Sequence, residues 1–354
     1  MHAVILAGGK GARLWPVSTE KTPKFLIKLQ NGKNLLQKTF QRISKIDSIK
    51  NIVTVTNNNY FLQIKEHYSA INKHINSEYI IEPSGKDTAA AILSSVMYIG
   101  KHYGLDEMVL VVPTDHIIHK HKAFNDAVSR ATILAKSGKI ITFGINPTYA
   151  EENYGYIEYK QNKVLSFKEK PTKEIAKKYL KSGNYLWNSG MLCFSVRTFL
   201  DEMKKYCPNI FQIVQGALDS SEYMGKINYR EVHLNEIIWQ EAQTISIDYA
   251  LLEKTKKIAV IPCDIEWSDM GNWNSISKSA PTDINGNNIK GNAIAYNVSN
   301  CYIESHGKFI AAVGVKNLAI IETENGLLIV DKRNAADVKK ISSMINKKAM
   351  LAIG

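Results

Sequence analysis

The sequence predicts an α/β protein: a Rossmann-like, mixed but mostly parallel sheet, followed by a small β-rich C-terminal domain. Three observations carry this prediction. Short apolar runs alternate with helical stretches of about a dozen residues, as βαβ units require. The first run, Ala3-Val4-Ile5-Leu6-Ala7, stops at Gly8-Gly9-Lys10-Gly11, which reads as a buried parallel strand entering a tight loop. From about Asn285 helical periodicity gives way to short apolar runs divided by Gly and Asn. The expected division is therefore 1–284 and 285–354.

After the glycine loop, Asn34 to Ile46 carries Leu35, Leu36, Phe40 and Ile43 at near-helical spacing. Asn51 to Thr56 reads as the second strand, Tyr60 to His74 as a helix, and Tyr79 to Pro83 as a short strand stopped by proline. Ser84 to Thr88 leads into a helix that begins at Ala89. Met108 to Pro113 is the most apolar strand, and it ends at Thr114-Asp115-His116. A helix over Lys122 to Ser137 and a strand over Ile140 to Ile145 follow. In open parallel sheets ligands bind beyond the carboxyl ends of the strands, so Gly8, Glu82 and Asp115 should share one edge.

Downstream, Glu152 to Glu158 opens a more β-rich stretch in which Gly155 marks either a close backbone approach or a bulge. Phe167-Lys168-Glu169-Lys170-Pro171 is either a solvated charge run or a clamp. Asn188, in Trp187-Asn188-Ser189-Gly190-Met191, offers an amide suited to paired hydroxyls or is a turn residue. Ser246 to Lys254 reads as an amphipathic helix, with Asp248 either contributing to a site or, the favoured reading, capping the helix. Asp269 precedes Met270-Gly271 and alone reads as a turn aspartate. Ala336 to Lys347 should form a terminal helix. No fixed-period repeat stands out in the tail, so a full β-solenoid is not demanded.

The loop itself points to phosphate. Backbone amides of a glycine turn form an anion-binding concavity. Arg13 adds a planar fork and Lys24 a compact mobile charge. The P-loop is excluded because Gly11, not Ser or Thr, follows Lys10. The dinucleotide fingerprint fails because Leu14 stands at its third glycine position.

Composition narrows the class. The 354 residues have room for a large α/β domain and a smaller one. No apolar stretch approaches the ~20 residues of a membrane span. The first strand starts at residue 3, so no leader and a cytoplasmic location are expected. Cys193, Cys207, Cys263 and Cys301 lack metal or disulfide spacing. The net charge of +12 is spread over dispersed lysines without an RNA-binding signature, which argues for a solvated surface and against nucleic acid.

Together these segments resemble the sugar-nucleotide pyrophosphorylases. The matches run in the family's order: Ala3 to Gly9, Pro23-Lys24, Gly85 to Ala89, Pro113 to His116, Phe167 to Pro171, Trp187 to Met191, Ser246 to Ala250 and Trp267 to Gly271. The chain is most similar to bacterial mannose-1-phosphate guanylyltransferases of the short form, which lack a fused isomerase domain. Two departures stand out: no Gln follows Pro23-Lys24, and Asp87 replaces the Asn of the family's G-R/K-N-T-A motif.

The resemblance implies a nucleotidyltransferase domain that joins GTP to a sugar 1-phosphate with Mg²⁺. An oxygen of the sugar phosphate attacks the α-phosphorus in line and pyrophosphate leaves. By resemblance the catalytic residues are Arg13, Lys24, Asp115 and Lys170. Leu6, Gly8, Gly9, Gly11, Glu82, Pro83 and Gly85 hold the nucleotide, with Glu82 the candidate reader of guanine. Gly155, Glu169, Lys170 and Asn188 hold the sugar phosphate, and Asp115 and Asp269 the metal. A homo-oligomer through the tail is also implied. Other sugar 1-phosphates (manno-heptose or glucose), other bases and a non-catalytic nucleotide-sugar sensor are the alternatives.

Overall fold

A computed structural model describes residues 1–9, 11–28, 32–71, 76–226 and 229–351. The chain forms two units: Met1–Gly8 with Leu36–Thr114 and Ile118–Trp267, and Gly9–Leu35 with Asp115–Ile117 and Ser268–Gly354. It therefore passes from the first unit to the second directly after Gly8, Thr114 and Trp267, and back after Leu35 and Ile117.

In the first unit eleven strands among the described residues make one sheet. Its order is Glu222–Lys226, Tyr229–His233, Asn76–Glu82, Asn51–Asn57, His2–Leu6, Met108–Pro113, Tyr185–Ser195, Ile140–Ile145, Ile258–Pro262, Lys163–Lys168 and Tyr156–Lys160. His2–Leu6 lies parallel to both neighbours, with Leu6 opposite Val55 and Pro113. Asn57 pairs with Glu82 in the next parallel ladder. The carboxyl ends at Leu6, Glu82 and Pro113 thus share an edge, as the strand-helix alternation predicts. Tyr185–Ser195 runs antiparallel to both strands beside it, which makes the sheet mixed.

Central strands buried on both faces need helices above and below. Val4, Val53, Ile80, Val109 and Val111 are fully buried, and the helix Asp87–Tyr103 covers them with Ala89, Ala90, Leu93 and Val96. Its alanines let helix and sheet approach closely, and Gly104 ends it at φ 112°. The helix after the second strand spans Asn58–Ser69, with Asn57 capping it by accepting from the Asn59 N–H. The predicted end of that helix, at residues 72–74, lies outside the described residues, as does Lys10 of the glycine loop. Residues 196–240, to which the sequence reading assigns no element, hold the helices Val196–Tyr206 and Pro208–Asp219 and the antiparallel pair at 222–226 and 229–233. The predicted amphipathic α-helix at 246–254 is instead a π-helical turn over Asp248–Leu252.

The second unit packs Leu14, Leu35, Met270, Trp273 and Ile276 against Tyr302, Ala319, Ile321, Leu328, Ala335 and Val338 of the tail. Trp273 is buried and donates its indole N–H to the Trp15 carbonyl at 3.0 Å. The terminal helix Val338–Leu351 lies against the turn Ala12–Leu14. The tail itself winds in stacked parallel rungs. Asn288 pairs with Tyr302, 14 positions on, and Tyr302 with Ala319, 17 positions on. Ala293–Tyr296 pairs in parallel with Ile310–Val313. At one corner Asn300 and Asn317 both take left-handed backbone, φ 52° and 58°, and Asn300 donates to Asn317 at 2.9 Å. Unequal coil lengths account for a solenoid whose sequence shows no fixed period.

Candidate active site

The residues singled out in the sequence fall into groups that the two units position separately. In the second unit Gly11 has φ 70°, and a Cβ there would lie 2.2 Å from the Lys24 Cβ, so only glycine fits this turn. Its carbonyl accepts from Leu14 N at 3.0 Å and Ser18 Oγ at 2.7 Å. Lys24 follows Pro23 in a short 3₁₀ turn and is buried. Its ammonium donates to Asp115 Oδ2 at 2.8 Å and to the Asp269 carbonyl at 2.6 Å. One lysine thereby ties together the two aspartates that the sequence reading assigns to a metal. Burial raises the Asp115 carboxyl, but Lys24 and His116 more than offset it and hold it below its ordinary value. Asp269 Oδ1 accepts from the Gly271 amide at 2.9 Å. Arg13 lies in the short 3₁₀ turn Ala12–Leu14 that follows Gly11.

Among the described residues no three His, Cys, Asp or Glu side chains form a metal cage. Mg²⁺ needs none where phosphates and water complete its octahedron. Asp115 and Asp269 carry the hard oxygen donors that such an ion takes.

In the first unit, Glu82 ends its strand buried, and its Oε1 has no hydrogen-bond partner among the described residues. Burial, and then Asp87, push its carboxyl up to about 8. A Cβ on Gly8 would sit 3.6 Å from Glu82 Oε2, an ordinary contact, and one on Gly85 would meet nothing within 4 Å among the described residues. The turn holding Pro83 and Gly85 is pinned by Trp239, whose indole N–H donates to the Ser84 carbonyl at 2.7 Å. Asp87 takes φ 64° at the start of its helix, and its Oδ1 accepts from Thr88 N at 2.7 Å.

The same unit also brings Gly155, Glu169, Lys170 and Asn188 together. Gly155 is a close approach: a Cβ there would lie 2.5 Å from Glu169 Oε2 and 3.2 Å from the Asn188 Cβ. Lys170 takes the left-handed φ of 45° and donates to Glu169 Oε1 at 2.7 Å. Glu169 is buried, and its amide donates to Glu253 at 3.0 Å. Asn188 Nδ2 donates to Asp248 Oδ1 at 2.9 Å, while Thr142 Oγ1 donates to Asn188 Oδ1 at 2.7 Å.

A strand-end glycine loop, a lysine bracketed by two aspartates and a lysine-glutamate clamp suit chemistry on phosphates and sugars. Residues 2–286 match the family model described as nucleotidyl transferase, and residues 291–344 match the MannoseP isomerase/GMP-like beta-helix domain. A mannose-1-phosphate guanylyltransferase 2 of Escherichia coli O157:H7 is 37% identical over 97% of this chain and 73% of its own length. The chain belongs to the mannose-1-phosphate guanylyltransferase family.

A Klebsiella pneumoniae mannose-1-phosphate guanylyltransferase is 36% identical over 95% of this chain and 72% of its own length. A solved Thermus thermophilus structure, described as a mannose-1-phosphate geranyltransferase, superposes with a TM-score of 0.84 at 26% identity, covering 98% of this chain and 99% of its own. The β-helix match agrees with the parallel rungs of the tail. Among the described residues of this guanylyltransferase-family chain, no helix is long and apolar enough to cross a membrane.

Thr142 escapes the sequence reading, and Asp248 enters it with capping favoured over a site role. Thr142 lies in an apolar strand, where a β-branched residue signals only strand propensity. Asp248 precedes an apolar periodic run and so resembles a cap, yet its carboxylate accepts from Asn188. The segment Ser246 to Ala250, which the resemblance already includes, is the signal that could have placed it in the site.

Proposed function

We propose that this chain transfers GMP from GTP to α-D-mannose 1-phosphate, giving GDP-mannose and pyrophosphate, with residues 1–284 carrying the chemistry. The observation that carries this reading is Lys24, buried and bonded to both Asp115 and Asp269 in a chain of the guanylyltransferase family. A phosphate monoester is largely a dianion near neutral pH, so no general base is required. The work left to the protein is positioning and charge neutralisation.

In this reading the amides of the Gly8 to Gly11 turn and Arg13 hold the triphosphate. Lys24 meets the α-phosphate, and Asp115 and Asp269 hold Mg²⁺, which when bound neutralises the phosphate charge developing at the α-phosphorus. Lys170 takes the sugar phosphate, with Glu169 and Asn188 on the sugar. Guanine presents N1–H and N2–H₂ as adjacent donors, and the unpartnered Glu82 Oε1 is a buried acceptor for them. Bringing two donors to that carboxyl favours its ionised form against burial. GTP as substrate implies a cytoplasmic location.

The test is pyrophosphate release with Mg²⁺, crossing GTP, ATP, UTP and dTTP against mannose, glucose and manno-heptose 1-phosphates. Release with GTP and mannose 1-phosphate alone is expected. Activity with the heptose phosphate alone would keep the mechanism and change the acceptor, while silence from folded protein would favour a nucleotide-sugar sensor. In the same panel Glu82→Gln should erode the preference for GTP by at least tenfold. An unchanged preference would remove Glu82 from base reading.

The tail exposes Ile294, Tyr296, Phe309 and Val313, and Tyr296 lies opposite Val313 in register. Apolar side chains grouped this way favour self-association. Light scattering should give a mass of two chains or more, falling to one in the double variant Tyr296→Lys, Val313→Glu.

A further inference from the structure

We propose that Asp248 is a positioning residue for the acceptor sugar: it fixes the amide of Asn188 so that a single N–H faces a hydroxyl of a hexose 1-phosphate. The inference rests on the guanylyltransferase reading and adds a residue to it. An asparagine carboxamide has two acceptor lone pairs and two donor hydrogens. Both lone pairs of Asn188 Oδ1 are engaged, by Thr142 Oγ1 at 2.7 Å and the Gly190 amide at 3.2 Å. One hydrogen of Nδ2 is engaged by Asp248 Oδ1 at 2.9 Å. Among the described residues, what remains for a ligand is one N–H.

The flipped amide is disfavoured. It would set an NH₂ against the Gly190 N–H, which can only donate. Asp248 is delivered by a pinned turn rather than a loose one. Ile247 N donates to Thr88 Oγ1 at 2.8 Å, Ala250 N to the Ser246 carbonyl at 2.9 Å, and Cys207 Sγ to the Ala250 carbonyl at 3.1 Å. The turn itself is π-helical, a local irregularity that recurs at functional sites.

The backbone closes the arrangement from below. Asn188 N donates to the Gly155 carbonyl at 2.8 Å, and Gly155 also lies against Glu169, the clamp partner of Lys170. The fixed N–H and the sugar-phosphate clamp therefore belong to one connected network. Burial, followed by the Glu169 charge, pushes the Asp248 carboxyl up to about 7, and asparagine keeps its shape and one accepting oxygen without the charge.

The experiment measures KM for mannose 1-phosphate and for GTP, and the kcat/KM ratio of mannose to glucose 1-phosphate, in wild type, Asp248→Ala, Asp248→Asn and Thr142→Val. Asp248→Ala should raise the mannose 1-phosphate KM about tenfold, the worth of one hydrogen bond to a charged or polar partner. The GTP KM should stay within twofold, and the 2-epimer ratio should narrow. Asp248→Asn keeps an oxygen to accept from Asn188 and should recover most of that loss. Thr142→Val releases the other end of the same amide and should move the same constant in the same direction.

A mannose 1-phosphate KM unchanged in Asp248→Ala, or one that rises together with the GTP KM, overturns the inference. If Asp248→Ala does not fold, an unaltered sugar KM in Thr142→Val overturns it instead. Wild-type silence in every pairing would overturn the guanylyltransferase reading as well, whereas an active wild type with insensitive variants overturns this inference alone.

Discussion

Asp115→Asn should lower turnover with GTP and mannose 1-phosphate about a thousandfold at saturating Mg²⁺ while leaving a folded protein. The loss has two sources. An amide is a much weaker ligand than a carboxylate for a hard divalent ion, so the charge on the reacting phosphates is less well neutralised. In addition Lys24, which donates to Asp115 Oδ2 at 2.8 Å, loses its counter-charge and keeps only neutral acceptors, the new amide oxygen and the Asp269 carbonyl. Removing one preorganised electrostatic group from such a site typically costs a factor of about 10²–10³.

Stability should fall little. The Asp115 side chain is 36% exposed, and a partly solvated pair of this kind contributes about 1 kcal/mol. Pyrophosphate-release kinetics across a Mg²⁺ titration, with a melting curve on the same sample, separate the two effects. Turnover within threefold of wild type and an unmoved Mg²⁺ half-saturation would take Asp115 out of the metal role. Asp269→Asn is expected to behave alike.

The second large effect belongs to Lys170→Met, which should raise the KM for mannose 1-phosphate at least a hundredfold and leave that for GTP within threefold. Burial lowers the Lys170 ammonium, but the Glu169 hydrogen bond and charge, with Asp248 and Tyr249 beyond, more than offset it and hold it above its ordinary value. It is therefore charged throughout the useful pH range. Removing it deletes the cation proposed for the sugar phosphate and leaves Glu169, only 7% exposed, without its ion-pair partner. An incoming dianion would then meet a bare buried carboxylate. Lys170→Arg should recover only part of the loss, since a planar fork does not replace a compact ammonium held at φ 45°. Equal changes in both KM values would mean that Lys170 acts on the nucleotide instead.

The parts of this protein that the sequence makes legible are those whose physics is local. Val109 to Val112 is a continuous apolar run because both of its faces are buried, and Gly11 is glycine because Lys24 leaves no room for a Cβ. Contacts assembled over long separations leave no such trace. The Lys24–Asp115 pair spans 91 positions and the Asn188–Asp248 bond 60, so neither can be read from spacing. Asp248 reads as a cap because an aspartate ahead of an apolar run looks the same whichever way its carboxyl turns. The solenoid is hidden for another reason: successive coils of 14 and 17 residues share a shape without sharing a period. The polar strands at 222–226 and 229–233 lack the apolar alternation that would announce them.

The tail and the glycine loop share one core, and this limits how the protein can be cut or recombined. Leu14 follows the glycine loop, Leu35 ends the segment that carries Lys24, and Trp273 follows the Asp269 turn. All three are buried among Tyr302, Ala319, Ile321, Leu328 and Val338. A truncation near residue 284 would therefore uncover Leu14, Leu35 and Trp273 rather than release an independent fragment. Chimaeras that exchange tails between relatives would need compatible residues at positions 14, 35 and 273. Inheritance at these sites should follow the solenoid, even though most of the intervening chain lies in the other unit.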